Sequence, residues 1–143
     1  MSDNKIRIEF QSKSQNEGFA RVAIASFISQ LDPTIEEITD VKTAVSEAVT
    51  NAIIHGYEGK DQEIVAIEAE ISGREVTISI IDKGIGIKNI EEAKEPLYTS
   101  RPDLEPSGMG LTVMETFLDS TVVESEEGKG TIVTLKKKFA EWS

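Results

Sequence analysis

The chain has 143 residues, of which 26 are acidic and 15 basic, for a formal net charge of −11. This balance argues against direct nucleic-acid binding, which requires basic faces, and favours a partner that carries basic patches. The absence of cysteine excludes disulfides and thiolate metal sites. No apolar run approaches the roughly 18 residues of a membrane span or forms a signal core. We therefore expect one cytoplasmic domain over residues 1–143, without membrane contact.

The N-terminal third of the sequence predicts a strand followed by a helix. Apolar and polar residues alternate over residues 6–10, the period of a half-buried strand. Residues 14–17 match a capping box, and apolar residues then recur at helical spacing over residues 19–31. Arg21 falls outside this apolar stripe, so we expect its side chain to be exposed.

A second helix and two strands follow. Asp32-Pro33 separates the helices, and the second apolar stripe runs over residues 35–53, with Gly56 well placed as the helix stop. Residues 64–72 and 75–82 are rich in β-branched residues and are joined by a short turn, a pattern typical of a hairpin.

The C-terminal half begins with a long connection. Residues 84–107 are rich in glycine, proline and charge, and a loop of this length is typical of an active-site lid, here about residues 88–107. Residues 108–119 predict a helix, and residues 121–124 and 131–136 predict a final hairpin. Strands separated by helices, with hairpin-linked pairs, predict an α/β two-layer sandwich whose mixed β-sheet is covered on one face by helices.

The first motif that carries chemistry lies in the second helix. Glu47 and Asn51 are four residues apart, so both side chains emerge on one helix face. A carboxylate there can accept a proton from an attacking hydroxyl, and an amide oxygen suits Mg²⁺, which takes its other ligands from water and substrate phosphates. The alternative is that both are ordinary polar residues on a solvated helix face.

The second motif follows the apolar strand at residues 75–82. Asp82 ends that strand, so we expect a poorly exposed carboxylate that needs hydrogen-bond donors, such as the exocyclic amine of adenine. Gly84 and Gly86 would let the backbone turn sharply and approach a flat ring. An ordinary Asp-x-Gly turn is the alternative.

The third motif opens the predicted third helix. Gly108-Met109-Gly110 would place backbone N–H groups at a helix start, where the dipole favours phosphate, although a lone Gly-x-Gly is weak evidence. His55 is the only histidine in the chain. It lies near the predicted end of the second helix, where it either caps the helix or contacts a nucleotide.

In this order the motifs resemble the N, G1 and G2 boxes of the GHKL ATPase/kinase superfamily, and Gly130-Thr131 resembles its final Gly-Thr box. The resemblance covers nearly the whole chain and implies the Bergerat fold, which binds Mg-ATP beneath a flexible lid. Residues 19–22, 46–56 and 107–110 are similar to the anti-sigma factor serine kinases, closest to those of sporulation. Such proteins bind and inhibit a sigma factor, and they phosphorylate a serine of an anti-anti-sigma factor, which otherwise displaces the sigma factor. The family also implies a homodimer, across which the first hairpin-like edge and the N-terminal strand at residues 6–10 could pair.

The resemblance implies a role for each motif residue. Glu47 would be the catalytic base, Asn51 the Mg²⁺ ligand and Asp82 the adenine anchor. Contacts with ATP or ADP are implied for His55, Gly84, Gly86, Thr99, Ser107, Gly108, Met109, Gly110 and Thr131.

Two further positions bear on the resemblance, one as an implied docking residue and one as a departure from the family pattern. Arg21 is implied to dock partner proteins, and a solvated helix arginine is the alternative. Pro106 stands where a basic residue often precedes the Ser-Gly-x-Gly box of the family. A lid cation on the γ-phosphate would therefore have to come from another residue, such as Arg101.

Three other functions stay open. A sensor histidine kinase catalytic domain shares the fold, but it would need an attached helix pair with a phosphoacceptor histidine, which we do not expect here. A general-stress anti-sigma kinase belongs to the same family, and the sequence separates it from the sporulation kinases only by how closely the motifs match. An ATP-gated binding module without kinase activity belongs to a different functional class.

Overall fold

The computed structural model describes residues 3–87, 114–115 and 117–140. Its elements are β1 (Asn4–Gln11), α1 (Asn16–Ile28), a 3-10 turn (Ser29–Leu31), α2 (Ile35–Asn51), a π-helix (Ala52–Gly56), β2 (Ile64–Ser72), β3 (Glu75–Asp82), β4 (Ser120–Glu126) and β5 (Gly130–Lys138). The predicted strands and the first two predicted helices are confirmed. The predicted lid at residues 88–107 and most of the helix predicted at residues 108–119 lie outside the described residues.

The strands form one sheet in the order β1-β2-β3-β5-β4, and each neighbouring pair is antiparallel. The prediction of a mixed sheet is therefore wrong for the part of the chain that the structure describes. The crossover from β3 to β4 does leave these two strands pointing the same way. However, β5 lies between them and pairs antiparallel with both, so the parallel direction produces no parallel ladder.

One face of the sheet packs against the helices. Ile67, Ile78 and Ile80 point to this face and are at most 1% exposed, whereas Glu68 and Ser79 on the other face are partly exposed. The buried helix residues that pack in the same core include Ala20, Ile24, Val41, Ala44, Val45 and Ala48. The predicted two-layer sandwich with helices on one face is thus confirmed. None of the described helices is long and apolar enough to cross a bilayer.

The helix starts differ from the sequence prediction. The capping box expected at residues 14–17 does not form, because the Glu17 carboxylate accepts a hydrogen bond from Ser46 Oγ of α2. A capping box forms instead at α2, where Glu37 N–H donates to Thr34 Oγ1 at 3.1 Å and Thr34 N–H donates to Glu37 Oε1 at 2.9 Å. Glu17 therefore joins α1 to α2, while α2 has its own cap.

Candidate functional site

The site begins at the end of α2, where the helical hydrogen-bonding pattern changes. Glu47 and Asn51 lie about one turn apart and are half-buried. The chain then continues as the π-helix Ala52–Gly56, which is closed by a 3.0 Å hydrogen bond from the Tyr57 N–H to the carbonyl of residue 52. π-turns insert one extra residue and are frequent at functional sites. His55 is half-buried within the π-helix, which confirms its predicted place near the helix end.

Asp82 supplies a buried carboxylate. Its residue is 6% exposed, and its carboxylate accepts a 2.9 Å hydrogen bond from Gly84 N–H and another from the backbone N–H of Thr131, the residue opposite it on β5. Burial raises the pKa of Asp82 to about 6, and the two backbone donors oppose that rise. The prediction of a poorly exposed carboxylate is confirmed. A carboxylate has about four acceptor positions, so Asp82 can also accept a hydrogen bond from an exocyclic amine.

Two glycines let the main chains of the π-helix and of the loop after β3 touch. A Cβ on Gly56 would lie 2.6 Å from an Asp82 carboxylate oxygen, and a Cβ on Gly84 would lie 1.9 Å from the Gly56 carbonyl oxygen. The Ile85 N–H donates to that same carbonyl at 2.9 Å. The sequence predicts Gly84 for close approach to a ligand ring. In the structure, Gly84 is required first for this contact with Gly56, which ends the continuous helical stretch of α2 and the π-helix, called the α2 segment below.

The same loop is held on its other side by the β4–β5 hairpin. Gly86 has a φ of +77°, and a Cβ there would lie 2.2 Å from the Glu126 carbonyl oxygen. Ile87 N–H donates to Ser125 Oγ at 2.7 Å, and that hydroxyl lies 2.8 Å from Thr131 Oγ1. The predicted sharp turn is confirmed at Gly86, and the hairpin fixes where it lies.

The described site residues fall into two groups. The first group surrounds residues 83–87 after β3, called the glycine loop below, and comprises Gly56, Asp82, Gly84, Gly86 and Thr131. Glu47 and Asn51 form the other group, and Glu47 precedes Gly56 by nine residues, roughly 14 Å along a helix that rises about 1.5 Å per residue. Several predicted site positions lie outside the described residues, namely Thr99, Arg101, Pro106, Ser107, Gly108, Met109 and Gly110.

The donor set limits how a metal could bind. Within residues 3–87 and the described C-terminal part, no three acidic, histidine or cysteine side chains come together to hold a cation by themselves. Asn51 offers a neutral amide oxygen, so Mg²⁺ there would take its remaining ligands from water and from bound phosphates. Mg²⁺ binds in this way at many phosphate-transfer sites, and the residues present fit it.

Three further residues belong to the site, although the sequence analysis assigns none of them a role in it. Gly56, predicted only as a helix stop, makes room for the Asp82 carboxylate. The buried Tyr57 hydrogen-bonds to the backbone next to Asp82. Ser125 contacts the loop through the hairpin register, which apolar alternation does not reveal. Only Gly56 and Tyr57 could have been found from the sequence, because they directly follow the motif that contains Glu47 and Asn51.

Arg21 lies on α1 rather than on the elements that carry these residues. Its side chain is 43% exposed and its Nη1 lies 3.8 Å from Glu17 Oε1, so it lies outside the buried stripe, as predicted. Phe19 and Val22 beside it are 55% and 61% exposed. The sequence predicts Phe19 as part of the apolar stripe, but it lies in the first turn of α1 and packs edge-on against the Phe10 ring at the rim of the core.

Comparison with known proteins gives consistent matches. The family model of the histidine kinase-like ATPase domain matches residues 10–137. The anti-sigma F factor of Clostridium beijerinckii is 72% identical over 139 residues, which cover 97% of each chain. That of Clostridium acetobutylicum is 66% identical over 140 residues, which cover 98% of this chain and 97% of the relative.

A solved structure shows the same fold at low sequence identity. The crystal structure of the RsbU and RsbW domains of a Mycobacterium tuberculosis protein matches with a TM-score of 0.68. The match covers 95% of this chain and 32% of that one, at 18% identity. At this identity the likeness supports the architecture alone.

Proposed function

Because the chain belongs to the anti-sigma F factor family of histidine kinase-like ATPase domains, we propose that it binds and inhibits a sporulation sigma factor. In the same proposal it is a Mg-ATP-dependent protein serine kinase that phosphorylates, and so inactivates, an anti-anti-sigma factor. The nearly full-length identity to proteins named anti-sigma F factor supports the first activity and favours sporulation over a general stress response. The second activity is supported by the site.

The backbone junction between the α2 segment and the glycine loop is the observation that carries the kinase proposal. Gly84 and Ile85 contact the carbonyl of Gly56 directly, with no side chain between them. The junction therefore fixes the distance between the Glu47 end of the helix and the buried Asp82. A nucleotide whose adenine is bound at Asp82 would extend its phosphates along the helix towards Glu47.

In this proposal each site residue has a separate role in phosphoryl transfer. Asp82 would accept the hydrogen bond of the adenine amine, and Thr131 would make a second adenine contact through water. Asn51 would hold Mg²⁺, which neutralises phosphate charge when bound. Glu47 would accept the proton of the incoming serine hydroxyl. Such catalysis consists mostly of positioning and charge neutralisation, which suits a site fixed by main-chain contacts.

Two surfaces support the proposed partners. Arg21 lies between the exposed Phe19 and Val22, so a cation with apolar neighbours is available for docking the sigma factor or the anti-anti-sigma factor. β1 is an edge strand, because it pairs only with β2 among the described strands. Edge strands present unpaired backbone groups to a second chain, which supports the proposed homodimer.

The kinase proposal is tested by Glu47→Gln, with Glu36→Gln, an exposed position in the first turn of α2, as the matched control. Radiolabelled phosphate transfer from ATP to purified anti-anti-sigma protein should fall at least about 10²-fold in the first variant. ATP binding and sigma-factor binding should be largely kept in both. Transfer at the parental rate by Glu47→Gln would show that the assigned base is wrong. A wild-type protein that binds the sigma factor in response to ATP, yet transfers no phosphate, would instead be an ATP-gated binding module.

A further inference from the structure

The Tyr57 hydroxyl bridges two strands next to the glycine loop. Tyr57 is 6% exposed, its phenol donates a 2.5 Å hydrogen bond to the Ile64 carbonyl, and it accepts a 2.7 Å hydrogen bond from Lys83 N–H. Burial is the main reason that the pKa of the phenol is raised above its ordinary value. The hydroxyl therefore keeps its proton and its donor role at neutral pH.

This hydroxyl lies where the next backbone hydrogen bonds between β2 and β3 would otherwise form. The observed register pairs Ala66 with Ile81, so two further residues along each strand would bring Ile64 opposite Lys83. Their backbone groups do not pair with each other but with the phenol oxygen. The phenol thus separates the two strands immediately after Asp82.

The separation of β2 from β3 determines the path of the backbone after Asp82. The peptide between Asp82 and Lys83 is held by the phenol at its N–H. At its carbonyl it is packed against Gly130, where a Cβ would lie only 2.2 Å from the Asp82 carbonyl oxygen. A peptide fixed at both ends sets the direction of the Asp82 side chain. It also sets the path of Gly84 towards the end of the α2 segment.

The π-helix explains how Tyr57 reaches this position. The Tyr57 N–H bonds to the carbonyl of Ala52, five residues back, rather than four as in an α-helix. The extra residue lets Gly56 face the Asp82 carboxylate while Tyr57, the next residue, points into the core between β2 and β3.

We propose that Tyr57 is a positioning residue for adenine recognition, which acts by fixing the peptide between Asp82 and Lys83. This inference rests on the proposed binding of ATP with adenine at Asp82. Without the hydroxyl, Ile64 and Lys83 either lose their partner or pair directly, and direct pairing would draw the start of the loop away from the α2 segment. In both cases the Asp82 carboxylate loses its fixed direction towards the adenine amine.

The test compares ATP with purine riboside triphosphate, which lacks the exocyclic amine. Tyr57→Phe should weaken ATP binding about five- to tenfold, the effect of losing a well-placed buried hydrogen bond, and should leave binding of the analogue nearly unchanged. The matched control is Ser12→Ala. The Ser12 hydroxyl is also buried, donates to the Lys60 carbonyl at 2.6 Å and accepts from Glu63 N–H at 3.1 Å, but it does not touch the glycine loop. Its removal should lower thermal stability without changing the ratio of the two affinities.

The outcomes separate this inference from the proposed function. If Tyr57→Phe keeps the wild-type ratio, or weakens both nucleotides equally, Tyr57 has a merely structural role and the inference is wrong. If the wild-type protein itself binds ATP no better than the analogue, both the adenine contact at Asp82 and this inference fail. Should Tyr57→Phe not fold, hydrogen exchange on the wild-type protein decides. A Lys83 amide that exchanges as fast as in an unstructured peptide would overturn the inference, and a strongly protected one would support it.

Discussion

Replacing Asp82 with asparagine separates the binding role of the carboxylate from its effect on stability. Burial raises the pKa of Asp82 to about 6, compared with about 3.9 in an unfolded chain. The folded protein therefore binds this proton more tightly than the unfolded chain does. Its contribution to stability is fully present below pH about 4 and is lost as the pH rises through 6. Asp82→Asn cannot ionise and escapes this loss.

The two pKa values set the size of the effect. Each tenfold change in proton affinity corresponds to about 1.4 kcal/mol, so above pH 7 the ionised Asp82 costs about 3 kcal/mol of folding free energy. This is an upper limit for the gain, because the asparagine oxygen accepts weaker hydrogen bonds and its NH₂ group needs an acceptor. We expect Asp82→Asn to gain about 1–2 kcal/mol at pH 7.5, and about half of that at pH 5.

Urea denaturation of the nucleotide-free protein at both pH values measures this gain. Asp61→Asn is the control, since its side chain is 63% exposed in an ion pair with Lys13 and the change should be worth less than about 1 kcal/mol. ATP binding should be lost in Asp82→Asn, because an NH₂ group would face the adenine amine. A variant that is less stable than the wild type at pH 7.5, or a gain that is equal at both pH values, would refute the reasoning.

Three further predictions follow from local contacts. Gly84→Ala should destabilise the fold by about 3 kcal/mol or more and abolish ATP binding, whereas Gly73→Ala, with φ +61° and open space around its Cβ, should cost about 1 kcal/mol. Equal losses in urea denaturation would contradict the backbone-contact argument. Thr34→Ala removes the α2 cap and should cost about 1 kcal/mol by the same assay with ATP binding unchanged; no loss would show the cap to be inert. Arg21→Glu should weaken sigma-factor binding at least tenfold in calorimetry, and unchanged binding would remove Arg21 from the docking surface.

The sequence predicts most of the helices and strands because apolar residues recur along each of them at the spacing of a single buried face. Residues 64–72 and 75–82 coincide with β2 and β3, since their apolar side chains alternate towards the helices. The same pattern places Asp82 on the buried face, because it follows Ile78 and Ile80 at intervals of two. The buried carboxylate could therefore be predicted from alternation alone, without a family resemblance.

Features that depend on distant contacts could not be predicted in this way. The capping box at residues 14–17 fails because Ser46, far along the chain, hydrogen-bonds to the Glu17 carboxylate. The sheet is antiparallel because β5 lies between β3 and β4, and strand order is not encoded in the pattern of either strand. The π-helix leaves no periodic signal, since one extra residue does not interrupt the apolar stripe.

The glycines show why the site is harder to predict than the fold. A side chain is recognised in a sequence by its chemistry, but Gly56 and Gly84 matter because each leaves room for another part of the main chain. Such a junction stabilises the site only if both segments are held firmly elsewhere. α2 is held by its Thr34–Glu37 cap and its buried apolar face, and β3 by ladders on both sides. The fold can therefore bear a buried carboxylate that opposes its stability, beside the main-chain junction where we propose that adenine binds.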